Sequence, residues 1–268
     1  MKKLYVKGFD DVDDPVRTEE QIYRQLSKTS DKDNIGYSYV VMPIADMINK
    51  SGVKNTQNII NDVCEAHNKE KLIFVCQHIQ VCNLYFHDNL VFTPHATMFD
   101  SYIPIPHYSC NYDLEYSKPW EEREYDFSFM GDYNTHATRN KVYNLLKGKP
   151  KTFFVDTKNW HFYSDKKTQA INKKNYIELL GNTKYSLCPR GTGPSTIRIW
   201  ESMAMGSSPI IFSDYLKMPL ELYLNNKLWF KVSEKCDSIN VDHERYNNDQ
   251  YWDLFSNEQL YKSIIKNI

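Results

Sequence analysis

Hydrophobic positions along the chain follow two alternating rhythms. Short apolar runs, "LYVKGF" (4–9), "YSYVVMPI" (37–44) and "KLIFVCQ" (71–77), read as strands, while "TQNIINDVCEAHNK" (56–69) sets Ile59, Ile60, Val63 and Ala66 on one side of a helix. Continuous apolar strands alternating with amphipathic helices predict a parallel sheet covered on both faces. An earlier helix is expected to enter at Asp14-Pro15, where Asp caps and Pro is tolerated, or slightly later at Thr18-Glu19-Glu20-Gln21. "NLVFTP" (89–94) and "SYIPIP" (101–106) add two short extended segments.

The polar stretch "CNYDLEYSKPWEERE" (110–124) has no clear period and marks a domain boundary. Beyond it the rhythm restarts. Strands are expected at 125–131, 151–156, 184–189 and 208–213, and helices at 138–148, at 173–182 and from Ser195 onward, with Gly148 and Gly181 closing the first two. The pattern occurs twice, which predicts two Rossmann-like α/β domains, 1–115 and 116–268, with parallel sheets facing across a cleft. The last helix is expected to pack back on the first domain.

Composition is that of a globular protein, with 41% hydrophobic and 25% charged residues, and only 9 Gly and 11 Pro argue against low-complexity tracts. A formal net charge of −1 recruits neither nucleic acid nor an anionic membrane. Charge is nevertheless uneven: Thr138–Arg198 carries a large surplus of Lys and Arg, suited to an anionic ligand or to a solvated surface, and the region from Asp10 to Glu20 is acidic. Six scattered cysteines form no C-x-x-C pair, and no apolar run is long enough for a signal peptide or a membrane span. A soluble, cytoplasmic protein without a membrane anchor is the expectation. Usage rich in Lys, Asn, Ile and Tyr fits the AT-rich genes of some viruses and bacteria.

"YSLCPRGTGPSTIRIWESMAMGSSPIIFSD" (185–214) carries the most chemistry. Ligands of α/β units sit at the carboxyl ends of strands, and Pro189–Ser195 occupies that place. Gly191 and Gly193 permit close backbone approach, Thr192 lies between them, Ser195 is placed to cap a helix, and Arg190 offers a permanently charged forked donor. The loop suits a phosphate; a plain turn is the alternative. In the helix that follows, Ile197, Trp200, Met203 and Ala204 form a core stripe, Gly206 is placed as a C-terminal cap, and Arg198 and Glu201 share another face. "VDTKNWHFYSDKK" (155–167) offers Trp160, Phe162 or Tyr163 for stacking on a base, or for packing.

The 185–214 stretch resembles the exostosin-type glycosyltransferase signature, a strand leading to a Gly loop, Ser-x-x-x-Arg-x-x-Glu, a Gly-x-x-Pro-Ile-Ile turn and an Asp. "FSFMGDYNTHATRNKVYNLL" resembles the same family's strand-Gly-x(n)-Arg segment, and Trp229–Val232 its later strand. The chain looks most like the compact exostosin-like enzymes of large algal viruses, among them a xylosyltransferase. The resemblance implies a GT-B fold whose C-terminal domain binds a UDP-sugar as co-substrate, with Arg139 and Arg190 near the diphosphate, Ser195 at the helix tip, Arg198 supporting and Glu201 on the ribose. It also implies inverting transfer, with UDP-xylose as the first donor to try, to a hydroxyl of an oligosaccharide or glycoprotein acceptor such as a capsid-protein glycan.

Such transfer needs a base. Candidates at strand ends of the first domain are Asp13 and His78, ahead of His95 and Asp100; Asp14 is spent as a cap. Asp11-Val12-Asp13 spells D-x-D but comes too early for the metal-dependent transferase fold. No G-x-G-x-x-G or Walker loop and no zinc spacing is present, so neither a metal nor another cofactor is expected. A non-catalytic module binding nucleic acid or carbohydrate is the alternative reading.

Overall fold

The computed structural model describes residues 2–6, 18–27, 36–158, 165–219, 228–239, 241, 255, 256 and 264. Asp11, Asp13, Asp14, Trp160, Phe162 and Tyr163, singled out above, lie outside them. The chain divides into two compact units. Unit 1 comprises Met1–Tyr108, Tyr215–Pro219 and Ser256–Ile268; unit 2 comprises Ser109–Asp214 and Leu220–Phe255.

Unit 1 holds β1 (Lys2–Tyr5), β2 (Tyr37–Val41), β3 (Lys71–Val75), β4 (Leu90–Thr93) and β5 (Ile103–Pro104). All pair in parallel, in sequential order. Alternate strand residues feed two cores, so the sheet is covered on both faces. Val40, Leu72 and Phe74 pack with Ile44, Met47, Ile48 and Ile60 of α2 (Ile44–Ala66). Tyr39, Val41, Ile73 and Val75 pack with Ile22 and Leu26 of α1 (Thr18–Ser27) and with Ile264. Helix α2 begins at Ile44 instead of 56 and is broken at Gly52, whose φ of 80° and ψ of 166° suit glycine alone. Asn49-Lys50-Ser51-Gly52 reads as a loop in sequence, which hides the first segment.

Unit 2 holds β6 (Tyr125–Gly131), β7 (Thr152–Asp156), β8 (Thr183–Pro189), β9 (Ser208–Phe212) and β10 (Phe230–Lys231), parallel in the order β10-β9-β8-β6-β7. Helix α3 (Ala137–Leu146) connects β6 to β7, and α4 (Lys166–Gly181) precedes β8. The chain therefore leaves β6 toward one edge and returns to β8 on β6's other side. That reversal opens a crevice between the carboxyl ends of β6 and β8, the general binding place of open α/β sheets. Helix α5 spans Arg198–Ala204, three residues inside the predicted start at Ser195, and ends as expected at Gly206, with φ of 67° and its N–H on the Met203 carbonyl at 3.0 Å.

The polar stretch 110–124 opens unit 2, which begins at Ser109, and is ordered. Arg123 is 5% exposed and donates to the carbonyls of Lys118, Thr183 and Met205 and to the hydroxyls of Ser117 and Ser207. Gly181 lies where a side chain has no room: an added Cβ would come within 2.1 Å of the Tyr116 carbonyl oxygen. It is the last residue of α4, so closing that helix is not why glycine is needed there. Among the described residues no helix is long and apolar enough to cross a membrane.

Candidate functional site

The crevice of unit 2 collects arginines from three segments. Arg139, on the first turn of α3, donates Nη1–H to the Asp132 carbonyl at 2.7 Å and Nε–H to the Arg190 carbonyl at 3.2 Å. The loop after β6 is thereby joined to the loop after β8. Gly191 makes the joint fit, since an added Cβ would lie 3.1 Å from Arg139 Nη2. Arg190 donates to the carbonyls of Gly191 (3.3 Å) and Thr192 (3.0 Å) and faces Glu234 at 3.8 Å. Glu234 also accepts from the Asp214 N–H and the Thr138 hydroxyl.

Arg198 is 8% exposed and donates to the Met130 carbonyl at the end of β6. Its guanidinium lies 4.5 Å from the Phe129 ring centre and 5.0 Å from that of Tyr176. Arg139 sits 5.4 Å from the same Phe129 ring. Gly131 leaves room for this stack, because an added Cβ would lie 2.9 Å from Phe129 and 3.1 Å from the Arg198 guanidinium. Burial, then the neighbouring Arg198, pushes the Arg139 pKa down to about 10. Asp132 and Glu201 temper the two charges, yet among the described residues neither Arg139 nor Arg198 forms an ion pair with a carboxylate. Two crowded cations without a paired anion are what an anionic ligand neutralises.

Glu201, expected on the ribose, is 1% exposed. Its Oε1 accepts from Asn111 Nδ2 at 2.7 Å and from the Asn111 N–H at 3.2 Å, and its Oε2 accepts from the Tyr176 hydroxyl at 2.7 Å. Burial raises its pKa against those bonds, and the Tyr176 phenol is pushed up by burial and by Glu201. Ser195 does not cap α5: Ile197 occupies the cap position, and the buried Ser195 Oγ has no partner. Thr192 and Gly193 form a bend of the loop before it, Thr192 exposed and Gly193 buried. The motif did not disclose His136, Asp132, Tyr176, Asn111 and Glu234. Asp132 and His136 lie inside the quoted β6 segment, and His136 caps α3 through Nδ1, with its pKa lowered by burial and by Arg190; Tyr176, Asn111 and Glu234 arrive by tertiary folding.

At the carboxyl edge of unit 1, the proposed base His78 is committed. Its Nδ1 accepts from the Gln80 N–H at 3.1 Å, capping a 3-10 turn, and its Nε2 meets Asn49 Oδ1 at 3.2 Å. The lone pair a base needs is spent on the cap. Asp100 is likewise consumed, accepting from the Thr97 N–H and hydroxyl and from the Tyr102 N–H. Buried Glu19 accepts from the N–H groups of Ala45 and Gln77. His95 is different. It is 6% exposed, its ring stands edge-on to His107 at 5.1 Å, and His95 Nδ1 and His107 Nε2 are buried without hydrogen-bond partners. Burial lowers the His95 pKa to about 4, and burial followed by His95 places His107 well below its usual range.

A pocket of about 470 Å³ opens at the opposite edge of unit 1, beside the starts of β3 and β4. Glu70 there is held by Lys2, Ser38 and His67, and the pocket carries none of the chemistry above. Among the described residues no group of three or more His, Cys, Asp or Glu is placed to hold a metal ion.

Residues 55–233 match the Exostosin GT47 domain. The chain is similar to the Exostosin-1 homolog of Caenorhabditis elegans, 29% identical over 163 residues, which is 54% of this chain and 42% of that one. It is also similar to ribitol-5-phosphate xylosyltransferase 1 of Homo sapiens, 28% identical over 101 residues, 37% of this chain and 22% of that one. The corresponding protein of Mus musculus is 30% identical over 96 residues, 34% of this chain and 20% of that one. The matched regions span less than half the length of these relatives.

Proposed function

The chain belongs to the exostosin GT47 family, and from that premise we propose that it transfers a sugar from a nucleoside diphosphate sugar to a hydroxyl of a glycan. The family is of the GT-B type, and two all-parallel sheets agree with it. The observation that carries the reading is the pair of unpaired guanidinium groups, Arg139 and Arg198, at the point where the strand order of unit 2 reverses.

In this reading the diphosphate lies over β6 and β8. Arg139 and Arg190 take its oxygens, and Arg198, fixed between Phe129 and Tyr176, supplies charge behind them. As the acceptor oxygen bonds to the anomeric carbon, the bond from that carbon to the diphosphate breaks and its electron pair leaves with the nucleotide. The arginines stabilise that charge, and the acceptor proton passes to a base. Ser195 Oγ is buried and unpartnered, so it reaches a phosphate oxygen only if the loop around it opens. Ribose hydroxyls reach Glu201 only by displacing Asn111 from Oε1; until then Glu201 positions Asn111 and Tyr176. We assign uridine as the nucleotide and inversion as the stereochemical course from the signature in 185–214. Xylose is the first sugar to test, since two relatives are named xylosyltransferases. Charge neutralisation by arginine makes metal-independent transfer the expected behaviour.

Thermal unfolding with UDP, UDP-xylose, UDP-glucose, GDP and NAD, each with and without EDTA, tests this. A ligand at about 100 times its Kd adds about 2.7 kcal/mol. Selective stabilisation by uridine compounds, unchanged by EDTA, is expected. Arg139→Met should weaken UDP binding at least about tenfold; it also loses the two carbonyl hydrogen bonds that join the loops after β6 and β8, so a modest fall in the Tm of the free protein is expected and affinity is the readout. No shift with any nucleotide, or full UDP affinity in Arg139→Met, refutes the site.

A further inference from the structure

We propose that Phe99 and Tyr215 form a stacking platform for one neutral sugar ring, an acceptor subsite at the carboxyl end of β4. It rests on the sugar-transfer reading and adds where unit 1 takes its ligand. Phe99 is 76% exposed, Met98 60% and Tyr215 47%, and the two aromatic rings lie 4.8 Å apart at 52°.

A rigid scaffold holds these side chains in water. Thr97 and Leu216 form an antiparallel bridge, the Met98 N–H donates to the Tyr215 carbonyl at 3.1 Å, and the Lys217 N–H donates to the Ala96 carbonyl at 2.9 Å. Asp100 closes the turn through Thr97 and Tyr102. Leu216 and Met218 anchor the returning segment at 1% and 2% exposure, with Tyr215 turned outward. Large apolar side chains held rigidly in solvent mark a binding surface.

Charge and area select the occupant. Both oxygens of Asp100 are engaged, and the Lys217 ammonium donates to the Asp100 and Tyr102 carbonyls, so the charges flanking the rings are already used. Among the described residues a phosphate backbone or an anionic membrane would meet a single ammonium tied to two carbonyls beside the acidic Asp100, not a cluster of cations. An aromatic side chain covers about 150–250 Å², so two fall well short of the ~800 Å² per partner of a stable protein interface. A sugar ring fits both limits: one face of C–H groups for the rings and a rim of hydroxyls. A second observation points the same way. His95 and His107, at the ends of β4 and β5, keep buried ring nitrogens without partners, polar groups at the sheet edge that bears the platform.

Saturation-transfer NMR with methyl β-xyloside, methyl β-galactoside, methyl α-mannoside and xylobiose tests the platform, alongside UDP-induced thermal shifts. Wild type should bind at least one of these sugars. Phe99→Ala and Tyr215→Ala should each weaken that binding about tenfold while the UDP shift stays unchanged. In a transfer assay both should raise the acceptor KM and preserve kcat. Absence of sugar binding by wild type at about 50 mM, or equal binding by both variants, overturns the proposal. So does a self-associating wild type that Phe99→Ala turns monomeric, which would make the patch a protein interface. Loss of the UDP shift in wild type would instead sink the sugar-transfer reading and leave the NMR result to decide the platform.

Discussion

Acid should loosen unit 1 through His95. With a folded pKa of about 4 against an ordinary value of 6.5, the unfolded chain takes up a proton that the folded one refuses. The stability due to the neutral imidazole is fully present above pH 6.5 and is lost progressively as pH falls toward 4. At pH 5 the linkage amounts to about 2 kcal/mol from this residue alone. His107, depressed in the same direction, adds to it, while the backbone contact of His95 with Gln77 opposes it; His78 is the other titrating neighbour. All five tryptophans lie in unit 2, so indole fluorescence does not follow unit 1. Hydrogen exchange of peptides covering β3 and β4 does. Between pH 7 and pH 5, after correction for intrinsic exchange, wild type should lose about 2 kcal/mol more protection than His95→Gln. Equal losses in the two proteins would show that His95 is hydrated in solution, and the reasoning from its burial would fall.

Two further predictions concern the support of the proposed donor site. Arg123→Met removes the five hydrogen bonds described above and leaves the buried carbonyls of Thr183 and Met205 to the Ser207 and Ser117 hydroxyls, so unit 2 should lose about 3–5 kcal/mol in urea unfolding followed by tryptophan fluorescence. Arg123→Lys should recover less than half of it, because an ammonium cannot reproduce the fork. Gly181→Ala forces a methyl group to within 2.1 Å of the Tyr116 carbonyl unless the backbone moves, and should cost about 1–3 kcal/mol in the same assay.

Legibility in the sequence followed how local each determinant is. Strand β6 is found at 125–131 as read, because its apolar run is bounded by charge on one side and by Gly131 on the other. Gly206 was readable as a cap because a helix end is a local event. The start of α5 was not, since Ser195 looks like a cap in sequence while the chain bends through Thr196 before the helix begins. The first segment of α2 was hidden by Gly52, which breaks a helix without ending it. Arg139, Arg190 and Arg198 could be named beforehand because they sit in recognisable strand-loop-helix segments. The meeting of Arg139 and Arg198 over Phe129, and the tie from Arg139 to the Arg190 carbonyl, could not, because they depend on strand order, which no local pattern encodes. Burial reassigned the rest: an exposed-looking Glu201 is internal, and His78 proves to be a cap while His95 keeps an open nitrogen.

Phe129 touches two cations, neither of which owns a counter-ion within the described protein. Electroneutrality at this point is therefore borrowed from the medium. Sulfate or phosphate in an ordinary buffer should settle there, raise the melting temperature, and compete with the proposed nucleotide-sugar donor in proportion to concentration. The apparent donor affinity then becomes a property of protein and buffer together, and chloride, acetate and phosphate preparations of the same chain should rank differently in it.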